Sequence, residues 1–191
     1  PPYMYPDSTS VGLQHDIIQR ALNDMGYKLG DIVTLPPSAA QKAIDNSNSI
    51  SFVSGVQAND PDAHFLSDSV INIEFVPVSL ERRQLNLKSQ KGLSLGALLF
   101  DGTSPIKNSI AMLSSEVDIE RVDDISTMES AFARLRAQTV DILMVERRVL
   151  EWFITNTRFI EMSELRLHEE YQTEYPIYVD FKSEELRNQF N

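Results

Sequence analysis

Cysteine is missing from all 191 residues, which excludes disulfides, thiolate metal sites and a cysteine nucleophile, and leaves the redox compartment open. Histidine is scarce. His15, His64 and His168 stand far apart with no H-x-x-x-H spacing, so no metal centre is expected, and the three read as ordinary surface or half-buried side chains. Long hydrophobic runs are absent too: stretches such as 95–100 fall far short of the roughly 20 apolar residues that span a bilayer. No G-x-S-x-G elbow, P-loop or dinucleotide glycine fingerprint occurs, so neither a cofactor nor a catalytic residue is motivated, and the many carboxylates are scattered rather than paired. Positive charge is in deficit, with 17 Lys and Arg against 28 Asp and Glu, a net charge of −11. That balance repels a phosphate backbone and no basic stripe offsets it, so nucleic acid is excluded as an expected partner. A secretory signal is missing as well, and the chain is expected to be mature or cut from something longer.

What is present is ordinary for a globular protein, 42% hydrophobic and 24% charged residues. Strand-like and helix-like segments alternate, which predicts an α/β protein with mixed, mostly parallel sheets. Over 11–25, Leu13, Ile17, Ala21 and Met25 form a helical stripe beside Ile18 and Leu22, and Gly26 takes the terminating position. A strand is expected over 27–35, closed by Pro36 and Pro37. Ser38 and Gln41 then suggest a capping box that opens a helix to about 45. Further strands are expected at 50–56, 70–78, 93–100, 117–122, 140–145, 165–167 and 177–181. Helices are expected at 105–114 (capped by Ser104), from a Ser126-to-Glu129 capping box through Leu135, at 147–155, and at 183–190. Two βα runs of similar size with a charged connection at 79–92 suggest two small lobes.

Three segments carry a family resemblance. Pro1-Pro2-Tyr3-Met4-Tyr5-Pro6-Asp7 followed by Gly12-Leu13-Gln14-His15-Asp16-Ile17-Ile18 resembles the opening of the extracytoplasmic solute-binding proteins of the amino-acid (family 3) type. Phe132 through Ile142, with Val140-Asp141-Ile142 at its end, resembles their second-lobe helix and following strand. Tyr175-Pro176-Ile177-Tyr178-Val179-Asp180-Phe181 resembles their returning strand. The resemblance implies a two-lobed type II periplasmic-binding-protein fold with a two-crossing hinge. Residues 1–76 plus about 170–191 would form lobe 1, beginning inside its first structural unit, and 77–169 would form lobe 2, with passages near 74–79 and 164–171. It implies a periplasmic or extracellular binding protein, not an enzyme, that closes on a small polar solute. Its partner would be a membrane permease, if it is a transport receptor, or a fused membrane signalling protein, if it is a sensor domain. A ligandless protein-interaction module, or an enzyme on the same fold, remains open.

The resemblance directs attention to nine ligand-binding candidates: Tyr3, Tyr5, Gln14, Asn59, Asp60, Gly102, Thr103, Ser104 and Glu146. Tyr3 and Tyr5 could stack on a ligand or cover a helix end. Gln14 is the polar group of the first helix turn nearest an expected site, whereas Asp16 suits the helix dipole. Asn59 and Asp60 stand in the segment where amino-acid binders carry an arginine fork, and Ala63 takes that arginine's place. The implied solute is therefore a cation, an amine or a neutral polar molecule. Gly102, Thr103 and Ser104 precede a helix N-terminus, and Ser104 is also explained by capping alone. Glu146 ends a strand, where a carboxylate suits an amine, and it equally suits the start of the next helix. Trp152 and Phe153 read as core.

Overall fold

A computed structural model of the chain describes residues 12–33, 35, 37–47, 50–58, 60–98 and 105–191. They pack as two compact units. One comprises residues 12–73 with Pro176–Asn191, the other Glu74–Tyr175.

In the first unit, helix α1 (Leu13–Asp24) buries Gln14, Ile18 and Leu22, an i, i+4, i+8 stripe. It ends as the sequence predicts. Gly26 adopts φ +82, Tyr27 N–H donates to Leu22 O (2.8 Å) and Gly26 N–H donates to Asn23 O (2.9 Å), a Schellman closure. Helix α2 spans Pro37–Asn46; the side chains of Ser38 and Gln41 lie outside the described residues. Strand β1 (Phe52–Val56) and the two-residue β2 (Phe65–Leu66) both pair antiparallel with β8 (Thr173–Phe181). A core of Ile18, Leu22, Val179 and Phe181 is ringed by Phe52, Phe65, Leu186 and Phe190, with Phe181 and Phe190 5.0 Å apart. Helix α6 (Glu184–Phe190) is capped by the Ser183 hydroxyl.

The strand expected over 27–35 does not form. The described residues there have no regular structure and pair with no strand, and Ile32 and Val33 are exposed. Their β-branched side chains favour a pleated surface only where a neighbouring strand supplies one.

In the second unit, β3 (Ile71–Leu80, entering from the first unit), β6 (Ile142–Glu146), β4 (Leu93–Ala97) and β5 (Ile119–Asp124) lie side by side, and β7 (Leu165–Leu167) also pairs with β3. The pairing is mixed. Strand β4 runs parallel to β5 and β6, while β3 is antiparallel to β6 and β7. Helices α3 (Pro105–Glu116), α4 (Met128–Arg136) and α5 (Arg147–Thr157) complete the unit. The cap of α4 is Thr127, whose side chain accepts from Ser130 N–H, one residue later than the expected Ser126 box. The core joins Val76, Val78, Leu135, Leu143, Val145 and Leu150 around Phe132 and Phe153. Trp152 packs against it half-buried, so the aromatic pair on α5 is core as expected.

Gly96 lies in β4, where a β-carbon would sit 2.6 Å from Ile125 Cδ1 and 2.8 Å from Leu143 Cδ2, both on buried side chains. Gly96→Ala is expected to destabilise the second unit by about 1–3 kcal/mol through overpacking, read as a lower urea midpoint at unchanged slope.

Candidate functional site

Tyr3, Tyr5, Asn59, Gly102, Thr103 and Ser104 lie outside the described residues. Gln14, Asp60 and Glu146 are described, and each has a distinct setting.

Gln14 sits in the first turn of α1, is buried, and its Nε2 has no hydrogen-bond partner among the described residues. A buried amide donor without an acceptor costs on the order of 1–3 kcal/mol, so its orientation calls for an explanation. It points to Gly55, whose β-carbon, if it had one, would lie 3.9 Å from Nε2. Gly55 is exposed, has φ +88, and stands at the register break of β1 between Ser54 and Val56. A side chain there would be strained. The bulge thus leaves bare backbone next to an unspent donor.

Asp60 does less. Its Oδ1 accepts from Asp62 N–H (3.0 Å) and its carbonyl from Ala63 N–H (3.3 Å), so the carboxylate closes a turn.

Glu146 combines both expected roles in position. It is the last residue of β6 and the cap of α5: Oε2 accepts from Val149 N–H (2.7 Å) and Oε1 from Glu74 N–H (3.4 Å). The next residue, Arg147, gathers the surrounding acids. Its Nε lies 3.1 Å from Glu74 Oε2, and its Nη2 donates to Gln172 Oε1 (2.6 Å) and to Glu169. The Glu169 bond leads the interactions that raise the guanidinium's pKa further, against the opposing effect of burial.

The Asp141 of the Val140-Asp141-Ile142 segment is structural. Its Oδ2 accepts from Ser94 N–H (2.9 Å) and Ser94 Oγ (2.7 Å), and its Oδ1 from Arg83. Burial pushes the carboxyl up, but the Ser94 and Arg83 hydrogen bonds outweigh it and hold the group below the usual carboxylate range.

Sequence reasoning missed one arrangement in the first unit. The His64 ring lies between two carboxylates, with Nδ1 3.0 Å from Asp180 Oδ2 and Nε2 2.8 Å from Asp45 Oδ1. Asp180 is fully buried, and its Oδ1 also accepts from His64 N–H and Phe65 N–H, each at 2.8 Å. These residues are distant in sequence, and only His64 offered any signal. His168, in the second unit, is buried against Ser79 Oγ (2.9 Å), and burial pushes its pKa down, keeping it neutral. An open groove of about 550 Å³ lined by Leu80, Arg82, Arg136 and Glu164 was also unforeseen. Its Arg136 is already spent on Glu164 (2.7 Å). Among the described residues no group of three or more His, Asp or Glu side chains is arranged to hold a metal ion, and no helix is long and apolar enough to cross a membrane.

No family model and no curated protein matches the chain. Solved structures do. The second substrate-binding domain of a putative amino acid ABC transporter from Streptococcus pneumoniae superposes with a TM-score of 0.70 at 17% identity, covering 100% of this chain and 86% of that one. The GluR0 ligand-binding core, solved in complex with L-glutamate, gives 0.69 at 11% identity, covering 100% and 85%. The arginine-, lysine- and histidine-binding protein ArtJ from Geobacillus stearothermophilus gives 0.62 at 15%, covering 99% and 81%. These likenesses establish the fold: the chain has the type II periplasmic-binding-protein fold.

Proposed function

We propose that this chain binds a small polar solute and acts through binding rather than turnover. Outside the cytoplasm it would serve as the receptor of a membrane permease or as the sensing domain of a membrane signalling protein. The observation that carries this reading is the fold, which it shares over its whole length with solved domains named for substrate binding and for amino-acid ligands. The local chemistry supports it. Gln14 holds a buried donor with no partner among the described residues beside the bare backbone of Gly55, and Glu146 ends β6 with a carboxylate. The passages of the chain at Ile73 to Glu74 and at Tyr175 to Pro176 are the proposed hinge.

The solute class follows from charge. The segment 57–64 carries Asp60 and Asp62 and no Lys or Arg, so it offers no fork for a carboxylate. That segment favours an amine or a neutral polar molecule over an anion.

A thermal-shift screen with polyamines, amino acids, amino sugars and neutral sugars tests the reading. A compound present at a hundred times its Kd adds about 2.7 kcal/mol of stability. For a chain of this size that raises Tm by about 5–10 °C. Glu146→Gln is expected to weaken an amine hit at least about tenfold, the loss of one charged contact of roughly 1.5 kcal/mol or more. It should lower stability by only about 1 kcal/mol, because the glutamine oxygen can still cap α5 and the acceptor given up is the longer contact to Glu74 N–H. If no compound of any class shifts Tm, the solute-binding reading fails.

A further inference from the structure

The geometry around His64 imposes a proton count. A neutral imidazole has one N–H and one lone pair, so it can donate to one carboxylate only. Both ring nitrogens of His64 face carboxylates, Asp180 at 3.0 Å and Asp45 at 2.8 Å. Whichever tautomer a neutral ring adopted, one lone pair would point at a carboxylate oxygen. With both carboxylates ionised, both contacts are attractive only when the ring is imidazolium.

The three residues come from separate elements. Asp45 lies in the last turn of α2, where a carboxylate is disfavoured by the helix dipole and gains most from a cation. Asp180 lies in β8 and is fixed independently by two backbone N–H groups. His64 ends the turn 60–64 that carries the candidate Asp60 and leads into β2. The charged groups facing the ring are Asp45 from α2 and Asp180 from β8, and its own turn adds the acids Asp60 and Asp62.

We propose that His64 is a proton-operated clasp: its imidazolium fastens α2 to β8 and the 60–64 turn, and loss of its proton releases α2. The pKa direction agrees. The Asp180 hydrogen bond is the largest influence, joined by Asp45 and outweighing partial burial, and it raises the ring above the ordinary histidine value of 6.5. A base whose folded pKa is raised contributes stability that is full below the unfolded value and is lost as pH rises through the folded one. The release therefore occurs above pH 6.5. His168 works in the opposite direction in the second unit: its folded pKa is lowered, so its contribution is lost as pH falls below 6.5. Global melting curves would mix the two, so the test must be local.

The clasp does not rest on the functional reading above. The experiment uses the solute-free protein and reads amide protection factors, corrected for intrinsic exchange, between pH 5.5 and 9. Protection across α2 and residues 62–66 is expected to fall by up to about tenfold for each unit by which the ring's pKa is raised. Asp45→Asn should weaken that dependence, since an amide can pair with a neutral ring while Asp180 still favours the cation, and it also relieves the helix dipole, so the variant folds. His64→Gln should flatten it, and NMR should show the wild-type ring titrating above 6.5. A flat wild-type profile, an undiminished fall in Asp45→Asn, or a ring titrating at or below 6.5 overturns the clasp, whatever the solute screen finds.

Discussion

Asp180→Ala is expected to remove about 2–5 kcal/mol from the first unit, chiefly because two backbone donors lose their acceptor at roughly 1–3 kcal/mol each. The residue is fully buried and accepts from three donors: the backbone N–H groups of His64 and Phe65 and the ring Nδ1 of His64. Alanine strips all three of their acceptor in a place that water reaches poorly. It also leaves the imidazolium with only Asp45, whose half-exposed carboxylate is a weaker partner. The damage should concentrate where the donors lie, so β2 and its pairing with β8 lose amide protection first. Asp180→Asn keeps an acceptor for the two backbone groups and gives up the charge, and about 1–3 kcal/mol is expected there. Urea unfolding measures both. A loss under about 1 kcal/mol for alanine would mean that water satisfies these donors after all, and that the buried carboxylate is not what organises this end of β8.

How much of this was legible beforehand depends on the range of the signal. Local signals read true. The 3.6-residue stripe and Gly26 marked α1 and its closure, Ser183 marked the start of α6, and the short apolar segment 165–167 became β7 with the expected ends. Each is decided by residues within one or two turns of chain. Two misses had different origins. Ser126 and Thr127 are both competent caps, and α4 uses the second. The segment 27–35 has the composition of a strand, but a strand is a property of a pair, and the described residues pair with nothing.

The candidate site was legible only in part for the same reason. Glu146 could be placed at a strand end and a helix start because both signals are adjacent, and the structure gives it both positions at once. The unspent donor of Gln14 could not be read, because it depends on Gly55, 41 positions away, being bare. The Asp45, His64 and Asp180 contacts bridge 19 and 116 positions. No periodicity or motif records such a meeting. A histidine judged alone is ordinary; its two carboxylates make it a charged one. The solved likenesses, at 11–17% identity, make a related point: a fold can persist while most residues differ, because pattern and volume suffice for it.

Phe132→Ala should cost about 3–5 kcal/mol, the range for deleting a buried aromatic ring from a packed core. Phe132 is fully buried in α4 and stacks on Phe153 of α5 with centroids 5.6 Å apart and planes tilted by 21°. Phe153 in turn meets Phe159 at 6.1 Å, so the ring joins α4 to α5 and to the segment beyond it. Its neighbours on the sheet side are buried aliphatics such as Leu143 and Val145, which β6 holds in a fixed register against β3. Neither the strand nor the helices can slide into the void without breaking that pairing, so the cavity stays largely open, and the cost should fall in the upper part of the range. Phe132→Leu, which keeps most of the volume, should lose less, about 1–2 kcal/mol. In a chain of this length each kcal/mol lowers Tm by about 2–4 °C, so calorimetry separates the two variants clearly. The test also separates packing from binding. Phe132 lies in the core and Glu146 at the end of β6, so a solute identified by the thermal screen should bind the folded Phe132→Leu protein with unchanged Kd. A weakened Kd would show that the packing beneath α5 sets the position of the Glu146 carboxylate, because α5 is the helix that Glu146 caps.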